Sequence, residues 1–372
     1  MAVKIVRQMG SVALLGVPTS AASLAAGNER GPAAWRAAGL ADRLREAGFT
    51  VTDYGDCTER AYAPDEEHPR ARNVAPVLKM LEELRPKVEV AVKSGALPLM
   101  LGGDDSMVLA TIAGCRRYFR NVGLIYLDRD AGLNAPASTP SGCVDGMVIS
   151  HVIGRGAPEL VRFWGEPPLV REPDVALFGI ERLDPPEQEF LAHSPLRRYP
   201  AGEISRRGAS AAAEEALDRV HGLRYEFVLH IDLDVIAGED FHATNLSAPG
   251  GMRWEQLEQA LAVFVRQPTL AALEISAYNP ALDPDGAAAR RFIDLLVKML
   301  ALRLPAPAEA EAVAPVAEQA AEAAVSADGT ATSPVAPIET PADGASNTTS
   351  AEAAPAETAP ADEPPKSDTA AG

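Results

Sequence analysis

Three short apolar runs in this 372-residue chain end in aspartate. Residues 99–103 lead into Asp104-Asp105, residues 122–127 into Asp128-Arg129-Asp130, and residues 227–231 into Asp232-Leu233-Asp234. Short runs without polar alternation read as strands buried on both faces, as in a parallel sheet covered by helices. Open sheets of that kind bind ligands just past the carboxyl ends of their strands. The three runs therefore aim carboxylates at one crevice. Carboxylates a few ångströms apart in a low-dielectric cleft repel, so they protonate, pair with cations or hold a metal. A single aspartate there is more simply a helix cap or a strand end. Repetition at three matching positions is what singles these out.

The rest of the chain supports a sheet. Further runs place strands at 12–17, 50–54, 97–101, 123–127, 175–179, 198–199, 227–231 and 270–275. Between them, helical periodicity runs over 31–47, where Ala34, Leu40 and Leu44 share a face and Gly48 stops the helix. Similar patterns cover 74–92, 107–119, 211–220, 253–265 and 286–304. Strand–helix alternation with crossovers of this length implies one parallel sheet with both faces covered. Eight strands would also suit a TIM barrel. The uneven crossovers, long over 135–172 and short before Arg198, favour an open three-layer α/β/α sandwich on an eight-stranded parallel sheet. No G-x-G-x-x-G or P-loop follows a strand, and no internal repeat is visible.

Composition divides the chain into a domain at 1–304 and a tail at 305–372. The tail lacks Phe, Trp, Tyr, Leu and Met and carries twelve acids against Lys366 alone. It has too little apolar surface to offset its ordering entropy and reads as disordered. Of the formal net charge of −18, the tail carries −11, which leaves −7 for the domain. A mildly acidic domain argues against a nucleic-acid partner. Cys57, Cys115 and Cys143 are widely spaced and odd in number, which suits a reducing, cytoplasmic setting without a disulfide frame. No apolar run reaches the length of a membrane span, and 11–17 reads as the first strand, not a signal segment.

At this point the motifs resemble those of the arginase–agmatinase (ureohydrolase) family. Gly16-Val17-Pro18, Gly31-Pro32 and Arg36-Ala37-Ala38-Gly39-Leu40 are similar to its opening. Its blocks G-G-D-H-S, D-A-H-x-D-x-N, S-G-N-x-H-G, S-[FL]-D-[VI]-D and [DE]-x-x-E-x-N-P have counterparts here in the same order. They are Gly102-Gly103-Asp104-Asp105-Ser106, Asp128-Arg129-Asp130-Ala131-Gly132-Leu133-Asn134, Ser141-Gly142-Cys143-Val144-Asp145-Gly146, His230-Ile231-Asp232-Leu233-Asp234 and Glu274-Ile275-Ser276-Ala277-Tyr278-Asn279-Pro280. The resemblance spans about Ser11 to Leu304. It implies an α/β/α sandwich, two Mn²⁺ ions sharing a hydroxide that attacks a guanidinium carbon, and a homo-oligomer, trimer or hexamer.

The chain also departs from the pattern. Of the family's two His and four Asp ligands it keeps Asp128, Asp232 and Asp234. Both His positions are aspartate, at Asp105 and Asp130, and the fourth Asp position is Gly132. The proton-shuttling His is Asp145, and the guanidinium-receiving Glu is Ala277. Asp128, Asp130, Asp232 and Asp234 would still suit one metal position with Asp105 nearby; the second would keep Asp105, Asp128 and Asp232 but lose the Gly132 ligand, which favours a single-metal site over a dimetal one. Carboxylates in place of imidazole favour Mn²⁺, Mg²⁺ or Ca²⁺ over Zn²⁺. The alternative is a cluster that is solvated, protonated or paired with Arg. At the amino-acid end, the resemblance makes Asn134, Ser141, Asp184 and Glu187 substrate contacts, a set more like arginase than agmatinase. Turn and helix-opening chemistry also accounts for Asn134, Asp184 and Glu187.

Among the histidines, His230 should be buried and hydrogen-bonded one residue in from the sheet edge, whereas His242 is a candidate to reach the cleft. Cys143 reads as a small filler rather than a nucleophile. Three functions fit: a degenerate ureohydrolase binding an arginine-like guanidino or amino-acid ligand with weak or no hydrolysis; an active metal-dependent C–N hydrolase with an all-carboxylate site; or an oligomeric scaffold acting through its tail.

Overall fold

The computed structural model describes residues 5–221 and 225–305. The acidic segment 305–372 lies, from residue 306 onward, outside the described residues.

Eight strands form one sheet: β1 (Ser11–Val17), β2 (Thr50–Asp56), β3 (Leu97–Gly102), β4 (Val122–Leu127), β5 (Val175–Gly179), β6 (Arg197–Pro200), β7 (Glu226–Asp232) and β8 (Leu270–Ser276). Their order is β2-β1-β3-β8-β7-β4-β5-β6, and every neighbouring pair is parallel. Each run read as a strand is one. The period of two along a strand sends successive side chains to opposite faces. Leu99 and Leu101 of β3 enter one hydrophobic cluster, whereas Met100 enters the other; Ile125 and Leu127 of β4 oppose Leu124 and Tyr126 in the same way.

Helices α3 (Val74–Lys93), α4 (Met107–Arg116), α5 (Val148–Val152) and α6 (Pro158–Arg162) cover the Met100–Tyr126 face. Helices α1 (Gly31–Ala37), α2 (Leu40–Glu46), α8 (Ala201–Arg207), α9 (Ala209–His221), α10 (Trp254–Val265) and α11 (Ala287–Leu300) cover the other. The short α7 (Pro185–His193) packs Phe190 and Leu191 against the cluster that holds Met100 and Tyr126. This is the expected three-layer sandwich.

The helix expected over 31–47 is two helices. Gly39 adopts a left-handed φ of 86°, which ends α1 and leaves Leu40 and Leu44 to a second axis. Helices α5 to α8 were not legible as periodic segments, because each gives a window too short for a helical stripe. The sheet edges are polar or brief. On β2, Asp53 and Asp56 pair with Arg36 at 2.7 and 2.5 Å, and β6 is the four-residue run Arg197-Arg198-Tyr199-Pro200. Among the described residues, no helix is long and apolar enough to cross a membrane.

Candidate functional site

Strand order sets the site. Neighbours β3, β8, β7 and β4 are parallel, so their carboxyl ends share one edge. Asp105 follows β3, Asp128 and Asp130 follow β4, Asp232 ends β7, and Asp234 sits in the 3-10 turn beyond it. All five line a cleft of about 640 Å³, together with Asp145, Asn134, Ser141, Asp184 and Glu187. The candidate metal, substrate-contact and shuttle positions from the sequence are all in that cleft. Asp104 is not. It is buried beside Asp105, accepting from Thr19 Oγ1 at 3.2 Å and the Ala22 amide at 2.9 Å. The preceding Gly103 is required by close approach, since a Cβ there would stand 2.1 Å from the Thr19 carbonyl oxygen.

The carboxylates form two groups that share Asp128. Oxygens of Asp105, Asp128 and Asp232 lie within 4.8 Å of one another, as do oxygens of Asp128, Asp130 and Asp234. The sequence offered Asp232 to both positions, with Asp128, Asp130 and Asp234 in one and with Asp105 and Asp128 in the other; the structure brings it together with Asp105 and Asp128. Burial, then repulsion from Asp234 and Asp105, pushes the Asp128 and Asp232 carboxyls well above the ordinary range. Burial and the neighbouring Asp130 lift Asp234 to about 6, against the pull of Arg182. Asp145 is also raised, by burial and by Asp105 and Asp104; its Oδ1 accepts from the Asp105 amide at 3.0 Å.

Asp130 has a cation of its own. Arg182 Nε donates to Asp130 Oδ1 at 2.6 Å, Nη2 donates to Oδ2, and Nη2 also reaches Asp234 Oδ2 at 3.3 Å. The main chain fixes this pairing. Asp130 and Arg182 form a parallel β-bridge, and the Arg182 amide donates to the Arg129 carbonyl at 2.9 Å. Among the described residues lining the cleft, Arg182 is the single basic side chain.

Asp105 is supported from inside the sheet. Register sets Tyr126 beside His230 and His230 beside Glu274 across β4, β7 and β8. His230 Nε2 donates to Asp105 Oδ1 at 3.1 Å and Nδ1 to Glu274 Oε2 at 2.9 Å, while Tyr126 Oη donates to Asp105 Oδ2 at 3.0 Å. Burial alone would lower the His230 pKa. The carboxylates of Asp105 and Glu274 outweigh it and raise the imidazole to about 9, and Asp105 is correspondingly lowered despite its burial. His230 is thus buried and hydrogen-bonded, as the sequence suggested.

At the other end of the cleft, Asn134 Nδ2 donates to Asp184 Oδ2 at 2.7 Å. Glu187 accepts the amides of Leu133, Asn134 and Asp184 at 2.8, 3.1 and 2.8 Å, the last closing a capping box on α7. The Ser141 hydroxyl accepts from the Cys143 amide at 3.1 Å. Cys143 is buried, its thiol donates to the Ala22 carbonyl at 2.6 Å, and burial pushes its pKa up. His242 is exposed and is not among the residues lining the cleft.

A model of the arginase family matches residues 10–301. The chain belongs to the arginase family. It is 29% identical over 296 residues to an arginase of Bacillus subtilis, covering 79% of this chain and 99% of that one. It is 28% identical over 283 residues to an arginase of Bacillus caldovelox, covering 74% and 93%. A crystal structure of arginase from Bacillus subtilis superposes with a TM-score of 0.71 at 28% identity, over 78% of this chain and 98% of that one.

Two participants in this arginase-family cleft were missed in the sequence. Arg182 opened a quoted segment but was given no role, because its partner Asp130 lies across a strand pair the sequence does not reveal. Thr244 carried no signal at all. It is buried at 3% exposure in the cleft lining, and its hydroxyl has no hydrogen-bond partner in the protein.

Proposed function

We propose that this arginase-family cleft holds a divalent cation and a cationic, amino-acid-like ligand, and that it hydrolyses arginine very slowly or not at all. The observation that carries this reading is the buried trio Asp105, Asp128 and Asp232, whose oxygens lie within 4.8 Å of one another. An all-oxygen donor set suits a hard ion such as Mn²⁺, Mg²⁺ or Ca²⁺. A cation bound there supplies Lewis acidity and relieves the repulsion that raises Asp128 and Asp232.

The chain's own residues limit the chemistry. Asp145 stands where the family shuttles a proton on histidine, and it offers a buried carboxyl in place of an imidazole. Ala277 presents a methyl group where a guanidinium would need an acid. Its left-handed backbone, φ 64°, is strained for a non-glycine residue. Gly132 gives no ligand. Glu187 is committed to three backbone amides, so it shapes the Asn134 loop, while Asn134, Ser141 and Asp184 remain to meet the amino-acid end. The excess of acids over the single Arg182 favours cationic ligands.

Loss of a general acid/base costs about 10²–10⁴-fold in rate. Urea release from arginine by the Mn²⁺-loaded protein should therefore be slow or undetectable; ordinary arginase rates would overturn the reading. Divalent ions should raise the melting temperature, more at about pH 8 than at about pH 5, because ligands bind deprotonated. Asp128→Asn with Asp232→Asn should abolish that rise. An unchanged melting temperature at both pH values would remove the cation from the proposal. A second reading, hydrolysis of a different linear amidine, is favoured by the surviving trio beside Asp145 and is tested by assaying amidino compounds with the same Mn²⁺-loaded protein.

A further inference from the structure

We infer that Arg182 is a tethered cation standing in for a second metal ion, so that the chain loads one divalent ion where its carboxylates alone would hold two. This inference rests on the cation reading just given. Two carboxylate trios adjoin through Asp128, and each has the oxygen spacing that suits an ion. They differ in what already faces them. Both oxygens of Asp130 accept from Arg182, through Nε at 2.6 Å and through Nη2, and Nη2 also contacts Asp234 Oδ2 at 3.3 Å. A metal at Asp128, Asp130 and Asp234 needs those same oxygens. A guanidinium cannot shed its charge to make room, and its planar fork matches a carboxylate in two-point contact.

The placement is built into the main chain. The β-bridge between Asp130 and Arg182, and the Arg182 amide on the Arg129 carbonyl at 2.9 Å, root the side chain beside its partner. The Arg182 side chain keeps 41% exposure, so the contacts with Asp130 and Asp234 are what hold it over the second trio. The trio of Asp105, Asp128 and Asp232 has no such plug: its nearest cation, His230, is fully buried behind Asp105 in the sheet and does not line the cleft. Gly132 cannot help either position, since it has no side chain and its left-handed φ of 61° disfavours one. The sequence offered Asp128, Asp130, Asp232 and Asp234 as the fuller seat and Asp105, Asp128 and Asp232 as the one weakened by Gly132. Arg182 moves the ion's seat to Asp105, Asp128 and Asp232.

The test counts ions. The full chain, stripped with chelator, is dialysed against Mn²⁺, bound metal is measured per chain, and the electron paramagnetic resonance spectrum is recorded. The wild type should hold one ion with the spectrum of isolated Mn²⁺. Arg182→Met, which keeps the apolar stem and removes the charge, should hold two with an exchange-coupled spectrum. Arg182→Gln serves the same purpose if the Met variant fails to fold. Arg182→Lys should stay at one, because a cation remains. Two ions on the wild type or on Arg182→Lys, or a single ion on both neutral variants, would overturn the role of Arg182 and leave the cation reading intact. No ion on any of these proteins would sink the cation reading and the inference together.

Discussion

At the scale of single residues, the notable substitution is an exchange of places. The position that resembles a ligand histidine is Asp105, and an imidazole stands behind it as His230, clamped between Asp105 and Glu274. A buried charge that loses its partner costs about 3–5 kcal/mol. His230→Phe should therefore lower unfolding free energy in urea by that much. Adding Glu274→Met should recover part of the loss, because it removes one of the two stranded carboxylates; the recovery reads out their coupling, about 0.5–3 kcal/mol. If the double variant is no more stable than the single, the clamp is not an energetic unit. Asp105 was legible in the sequence because it follows an apolar run. The clamp was legible only as a buried histidine, since Tyr126, His230 and Glu274 meet through strand register, which local sequence does not encode. Arg182 was obscure for the same reason: β4 and β5 are neighbours in the sheet but far apart in the chain.

At the scale of elements, two short helices carry more than their length suggests. In α5, His151 is almost wholly buried; its Nδ1 donates to the Met147 carbonyl at 2.7 Å and its Nε2 has no partner. Burial lowers its pKa from 6.5 to about 4. The unfolded chain takes up the proton first as pH falls, so this histidine's contribution is present above 6.5 and is lost as pH drops through 4. His151→Phe should lose about 2–3 kcal/mol less stability than wild type between about pH 7.5 and about pH 4.5. Equal losses would show that His151 is not held neutral. In α7, Glu187→Ala would strand buried amides of Leu133 and Asn134 and open the capping box. Each buried amide left unpaired costs about 1–3 kcal/mol, so unfolding in urea should show at least that loss. The strands were readable because each is a compact apolar run; α5 gave no such signal and α7 showed only its opening at Glu187, because both are held by particular polar partners instead of an apolar stripe.

At the scale of the whole molecule, removing residues 306–372 should leave the melting temperature of the domain unchanged, because that segment offers too little apolar surface to contribute to a core. A clear drop would refute a self-sufficient domain at 1–304. The edges of the sheet have a separate consequence. A parallel sheet of this breadth offers two lines of unpaired backbone groups, a standing template for strand addition by another chain. Here one border is β2, its Asp53 and Asp56 clasped by Arg36, and the other is β6, four residues long with two arginines and a closing proline. Charge, brevity and proline are the features that discourage a foreign strand from docking. The fold is therefore guarded against runaway polymerisation at both rims.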